Sequence, residues 1–310
     1  AYAVLQAADW TSTHAQVGVP ISSAETRMSA VQTPSSTLAY TPINTPFGAE
    51  LEKGVRLLDF DDAQLEALQQ LAAERGVVVV RDQAMTMDEQ VAFAGRIGPL
   101  FTTPVNRGKV PPELIMIHAD ERSKFIAGST WHSDVSSEEI PPGLSMLRME
   151  VVPEAGGDTL FADMTHAYDA LSDSMKAFVK GLHAVHEPRG HYLYVGGAKR
   201  LDELPTSTHP VVRTHPRTGR HAIYVNVGFV SHIVELSRRE SDALLRMLYD
   251  HTAYLVAAQI RVHWEPDTVV FWDNRVVQHQ ASWDYYPGVR HGYRATVRGE
   301  APVLIEVADT

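Results

Sequence analysis

Trp131-His132-Ser133-Asp134-Val135 is the stretch that decides how this chain is read, and Trp272-Asp273-Asn274-Arg275-Val276-Val277-Gln278-His279 answers it far downstream. Side chains alternate along an extended segment, so His132 and Asp134 point to one side and Ser133 to the other. Two neutral imidazoles and one carboxylate make the donor set of a 2-His-1-carboxylate site. Such a site holds one face of an octahedral Fe(II) and leaves the opposite face open. His-x-Asp by itself is a weak signal, and with 15 histidines in the chain a downstream partner is easily found. The weight comes from context: Gly156-Gly157-Asp158-Thr159 trails the first segment, and Arg290 and Arg294 follow His279 in a strand-like run.

Outward from these segments the pattern is one of many short strands interrupted by a few well-capped helices. Asp61 with Gln64 and Thr86 with Glu89 each read as a capping box opening a helix, and Ser237 with Glu240 as a third. Val77 to Val80 reads as a buried strand, and 144–152, 209–214, 221–227, 260–264, 268–272 and 290–298 read as further strands. Phe47 to Leu51 and Gly54 to Leu57 are expected to form a short strand pair. This spacing of strands and turns predicts a mainly β sandwich or barrel with added helices. Residues 1–44, rich in Ala, Ser, Thr and Pro, read as an N-terminal arm or leader, and 45–310 as a single domain. The irregular segment 187–208 is a candidate substrate lid.

The 310 residues carry a net charge of −11 and 44% hydrophobic residues. That is enough to build a large core, and the acidic balance argues against a nucleic-acid partner. Absence of cysteine excludes disulfides, thiolate metal sites and thiol nucleophiles. No apolar run is long enough to span a membrane and no basic, then apolar, leader is visible, so a soluble cytoplasmic protein is expected.

WHSDV (131–135), GGDTLF (156–161), HPVVRTHPRTGR (209–220), WDNRVVQH (272–279) and YRATVRGE (293–300) stand in the order in which the taurine/2,4-D dioxygenase family carries such motifs. With Phe47-Gly48-Ala49-Glu50-Leu51, the resemblance covers roughly residues 45 to 302. It implies a double-stranded β-helix, or jelly roll. It further implies Fe(II) held by His132, Asp134 and His279, with 2-oxoglutarate as cosubstrate and O2 as oxidant. Oxidative decarboxylation of the cosubstrate to succinate and CO2 would then drive hydroxylation of an unactivated C–H bond. Halogenating relatives have a small residue at the carboxylate position, so Asp134 points to hydroxylation.

By the same resemblance, Arg290 and Thr159 hold the distal carboxylate of 2-oxoglutarate. Arg294, inward on the same strand face as Arg290, is expected to grip an anionic group of the substrate. Its alternative is a structural arginine countering a nearby carboxylate. Thr103 and Gly128 stand where taurine enzymes have a histidine and an asparagine, which enlarges the pocket and argues against taurine. A small organic anion is expected instead: a sulfonate, a sulfate ester or a carboxylate. Phe101, Tyr192, Tyr194 and Phe229 could line its space or serve only as core. The remaining histidines, including His183, His186, His209, His215 and His221, are assigned to packing. A homo-oligomer, dimer or tetramer, is what the family leads one to expect. The competing readings are a desaturase or bond-cleaving oxygenase with the same site, a zinc hydrolase with the same ligands, and an inert jelly-roll binding protein. Neither of the last two accounts for Thr159 and Arg290.

Overall fold

Val77 to Val80 shows how the core is laid out. In a computed structural model describing residues 38–103, 110–189, 193 and 198–305, these four valines form a strand buried on both faces. Val77 and Val79 face one apolar cluster, and Val78 and Val80 face another. The strand hydrogen-bonded directly beside it repeats the division, with Val270 and Trp272 on the first side and Val269 and Phe271 on the second. Period-two alternation thus survives inside runs that are apolar throughout, because each face has its own cover.

The strands are β1 (Tyr40–Pro42), β2 (Ala49–Leu51), β3 (Val77–Val80), β4 (Leu114–Ala119), β5 (Pro142–Val151), β6 (Thr159–Asp163) and β7 (His183–His186). They continue as β8 (Ser207–Pro210), β9 (Val212–Thr214), β10 (His221–Ile223), β11 (Val230–Ile233), β12 (Gln259–Val262), β13 (Thr268–Asp273), β14 (Val277–Ala281) and β15 (Arg290–Arg298). Seven form one sheet in the order β1-β2-β3-β13-β5-β15-β4. Within it β2 and β3 run parallel and every other pair is antiparallel. Facing its inner side are the smaller sheets β12-β6-β14 and β11-β7-β8, with the hairpin β9-β10. This is a mainly β jelly roll, and the first apolar cluster fills the space between its sheets.

Helices cover the outer face. α1 (Asp62–Arg75) starts at Asp61, whose side chain accepts from the Gln64 amide at 2.8 Å while Gln64 Oε1 accepts from the Asp61 amide at 3.0 Å. α2 (Met87–Ile97) opens on the Thr86–Glu89 box in the same way. Leu65, Leu68 and Phe93 bury against Val78, Val80 and Phe271 in the second cluster. Two short helices, α3 (Met164–Asp169) and α4 (Asp173–Val179), and the long α5 (Arg238–Tyr254) pack on the first.

Two local readings are corrected. Gly54 to Leu57 forms no strand; β2 pairs instead with Tyr40–Pro42 and, in parallel, with β3. Edge pairing is decided by which backbone comes alongside, and alternation in a short segment does not reveal that. The sheet therefore begins inside the segment read as an arm. No described helix is long and apolar enough to cross a membrane.

Candidate active site

His132 lies just off the end of the smaller sheet and is tied to it by a bridge to β14. Its amide donates to the His279 carbonyl at 3.1 Å, and the His279 amide donates back at 2.9 Å. That exchange sets the two imidazoles side by side, with ring centroids 4.1 Å apart. Asp134, two residues on, turns the same way: both Nε2 atoms lie 3.9 Å from its Oδ1. All three donors fall within 4.8 Å of one another and are buried. Among the described residues no other group of three such side chains does this.

The protonation states suit a metal. His132 Nδ1 sits 2.8 Å from the Thr130 carbonyl, which can only accept, so Nδ1 carries the proton and Nε2 keeps its lone pair. Burial lowers the pKa of His132 against the raising pull of Asp134. Burial, then the neighbouring His132 ring, puts His279 well below its ordinary range. Both rings are therefore neutral at pH 7. Burial alone would raise the Asp134 pKa, but Arg294 and the two imidazoles outweigh it and hold the carboxyl at about 2.

Asp134 is fixed from behind. Ser145 on β5 donates its hydroxyl to Oδ2 at 2.8 Å, and Asn274 donates from Nδ2 to that hydroxyl oxygen at 2.9 Å. Asn274 Oδ1 in turn accepts from the Asp134 amide at 3.1 Å and from the Trp272 indole at 3.1 Å. Val135 next takes φ +41°, which a β-branched residue adopts only under constraint. The chain thus turns sharply once the carboxylate has been delivered. Ser145 was not anticipated, because β5 is almost uniformly buried and no pattern marks one of its residues as special. Asn274 stood within the quoted Trp272–His279 segment, where its fixed place between Trp272 and His279 was the available signal.

A cavity of about 450 Å³ opens over the three donors. At one end Arg290 is only 5% exposed, with Nη2 donating to Thr159 Oγ1 at 3.2 Å. The indole of Trp264 donates to the same hydroxyl at 3.0 Å and lies under the guanidinium at 5.5 Å. Among the described residues no carboxylate comes within ion-pair distance of Arg290, its Nε has no partner, and burial lowers its pKa. A guanidinium desolvated in this way calls for an anion from outside the chain. Arg294, by contrast, donates from Nη1 to Asp134 Oδ1 at 2.5 Å, as the structural alternative anticipated, while its Nε is also buried and unpartnered.

Gly128 lines the cavity with φ +77°, and a Cβ there would lie 3.0 Å from His132 Cε1. Thr103 is buried with its amide donating to the Pro112 carbonyl at 2.7 Å, but it is not among the described residues that line the cavity. Phe229 lines it; Phe101 instead packs under Arg298 at 4.2 Å. Tyr192, Tyr194 and the other residues of 190–197 except 193, within the candidate lid, lie outside the described residues. Arg189, at the start of that segment, reaches the cavity and donates to the Val230 carbonyl at 2.7 Å; no motif in the sequence marks it.

Comparison with known proteins agrees with this geometry. Residues 39–296 match the family described as Taurine catabolism dioxygenase TauD, TfdA family. An alpha-ketoglutarate-dependent sulfonate dioxygenase of Saccharomyces cerevisiae is 37% identical over 278 residues, covering 84% of this chain and 67% of that one. An alpha-ketoglutarate-dependent sulfate ester dioxygenase of Pseudomonas putida is 34% identical over 281 residues, 86% of this chain and 91% of that one. The chain spans about two thirds of the length of the yeast sulfonate dioxygenases that it matches. The crystal structure of a taurine dioxygenase from Burkholderia xenovorans superposes with a TM-score of 0.74 at 32% identity, covering 86% of this chain and 93% of that one. The chain belongs to the TauD/TfdA family of dioxygenases, whose reaction requires Fe(II), 2-oxoglutarate and O2.

Proposed function

We propose that this Fe(II)/2-oxoglutarate dioxygenase hydroxylates an unactivated C–H bond of a small organic anion. The anionic group is a sulfonate, sulfate ester or carboxylate, and taurine is not the substrate. The products are succinate, CO2 and an alcohol that, beside a sulfate or sulfonate, goes on to C–O or C–S cleavage. Bound iron supplies the activation of O2 and of the C–H bond. The chain's own residues bind, orient and exclude water.

In this reading His132, Asp134 and His279 hold Fe(II) through Nε2, a carboxylate oxygen and Nε2. Arg290 and Thr159 take the distal carboxylate of 2-oxoglutarate, Arg290 through its planar fork of donors. The observation that carries the reading is the buried Arg290 guanidinium, which no carboxylate of the described residues approaches within ion-pair distance and which donates to Thr159 Oγ1 at 3.2 Å. A zinc hydrolase or an inert binder has no use for such a charge.

The substrate reading rests on the rest of the wall. Arg294 puts a second positive charge beside Asp134. Ile115, Ile117, Phe125, Ile126, Val227 and Phe229 make the neighbouring surface apolar. Gly128 keeps the space over His132 Cε1 free of side-chain atoms. An anion with an apolar body fits this wall; a substrate ending in an ammonium finds little there to receive it. Thr103, which is not among the described residues that line the cavity, carries no part of this reading.

Anaerobic addition of Fe(II) and 2-oxoglutarate tests the assignment, because a keto acid chelating ferrous iron gives a visible charge-transfer band. The band is expected for the unaltered chain and its loss for His132→Ala; no band in the unaltered chain would rule the reading out. A succinate-release screen over alkylsulfonates, alkyl sulfates and aryloxyalkanoates then ranks the substrate classes.

A further inference from the structure

β15 has two faces, and only the inner one serves the cavity. Arg290 and Arg294 line it, with Ile115 and Ile117 from the neighbouring β4. The intervening positions face outward, and there the antiparallel register sets His291 directly opposite His118. The two rings meet edge to face, with centroids 5.2 Å apart and planes at 76°, and the Nδ1 atoms are 3.2 Å apart. Both side chains are reachable from solvent, at 39% and 20% exposure.

Each ring has its other nitrogen turned toward oxygen. His118 Nε2 is 3.5 Å from Asp120 Oδ2. His291 Nε2 is 3.0 Å from the Tyr293 hydroxyl and 4.0 Å from Glu150 Oε2. Glu150 is itself held by Arg148. A histidine whose remote N–H faces a carboxylate is oriented in the way metal-bound histidines are. With a proton on each Nε2, two Nδ1 lone pairs point at each other across 3.2 Å, which is repulsive unless a cation lies between them. Two nitrogens that far apart subtend about 100° at an ion roughly 2.05 Å from each, an angle suited to tetrahedral coordination.

We propose that His118 and His291 form a second metal site, on the outer face of the seven-stranded sheet and separate from the His132-Asp134-His279 centre. Its ligand is a divalent ion that favours imidazole nitrogen, Zn²⁺, Ni²⁺ or Cu²⁺. Two protein nitrogens bind it and water completes the shell, with Asp120, Glu150 and the Tyr293 hydroxyl behind the rings. Burial and the neighbouring His118 ring lower the His291 pKa, so this ring offers its lone pair at neutral pH. The site clips β4 to the end of β15 that carries Arg290 on its other side.

Zn²⁺ alone, titrated into the metal-free 310-residue chain against a chromophoric chelator, tests this. Two equivalents are expected for the unaltered chain and one for each of His118→Ala, His291→Ala and His132→Ala. None is expected for His118→Ala combined with His132→Ala. The equivalent retained by the single His118 and His291 variants doubles as evidence that they fold. A single equivalent in the unaltered chain overturns the proposal. So does retention of two equivalents in His118→Ala and His291→Ala, since the ring contact is then only an N–H···N hydrogen bond with Tyr293 donating to His291.

Discussion

Two guanidiniums on the same inward face of β15 stand in opposite electrostatic situations. Arg290 is deeply buried among Thr159, Trp264 and Tyr285 with no carboxylate within ion-pair distance among the described residues, and burial lowers its pKa against the weaker raising pull of Tyr285 and Asp158. Arg294 pairs with Asp134 at 2.5 Å. A third, Arg275, lies outside the cavity and is saturated, bonded to both Asp273 and Glu300. The series separates what a buried cation is for. Paired twice, it holds the fold; in the proposed reading the one paired with a metal-ligand candidate tunes a site, and the one without a paired carboxylate receives a ligand.

The saturated end should show the largest effect, and show it in stability. Arg275→Ala leaves Asp273, which is 2% exposed, without its main counter-charge. Breaking a buried pair in this way costs about 3–5 kcal/mol, or roughly 10 °C of thermal midpoint. Acid titration gives the matching sign. Burial alone would raise the Asp273 pKa, but Arg275 and His215 outweigh it and depress it far below the carboxylate range. A depressed pKa contributes stability that is present above the unfolded value of about 3.9 and lost as pH falls toward the folded value. Stability should therefore drop steeply below about pH 4 in the unaltered chain and less steeply in Arg275→Ala. Equal slopes in denaturant melts at pH 5 and pH 3 would remove Arg275 from its place in the series.

The unpaired end should show its effect in cosubstrate affinity. Arg290→Ala removes one partner of a desolvated charge pair and is expected to raise KM for 2-oxoglutarate by about 30- to 1000-fold, the equivalent of roughly 2–4 kcal/mol. Its stability should hold or rise, since the variant no longer buries an uncompensated cation. That combination is hard to obtain from a structural arginine. A KM change below threefold, or a marked loss of stability, would place Arg290 with Arg275 instead.

How much of this was legible beforehand follows from what a residue pattern encodes. His132 and Asp134 could be placed on one side of an extended segment because alternation is local, and the capping boxes at Asp61 and Thr86 could be read because both partners lie within four residues. Arg290 and Arg294 could be placed on one face for the same reason. Which carboxylate Arg294 meets could not be read: Asp134 arrives from a segment 160 positions away in sequence. Ser145 behind Asp134 was hidden for a different reason, since β5 is buried on both faces and lacks the polar–apolar contrast that marks orientation. The expected strand at Gly54 to Leu57 failed because pairing belongs to two segments, and only one of them was read.

Arg294 is the intermediate member, and its variant separates two parts that the unpaired and saturated arginines keep apart. As substrate clamp, Arg294→Ala raises KM for the anionic substrate by about 10- to 100-fold, roughly 1.4–2.7 kcal/mol, and leaves KM for 2-oxoglutarate within twofold. As structural counter-charge alone, it leaves substrate KM unchanged and instead alters Fe(II) affinity, because Asp134 loses the cation that helps to hold it ionised. A neutral substrate analogue sharpens the distinction, since a clamp acts only on the anion. Loss confined to the charged substrate assigns Arg294 to recognition, and equal loss on both assigns it to Asp134. The second result would remove the main reason for expecting an acid and leave the apolar wall of Ile115, Ile117 and Phe229 as the remaining guide to what the cavity accepts.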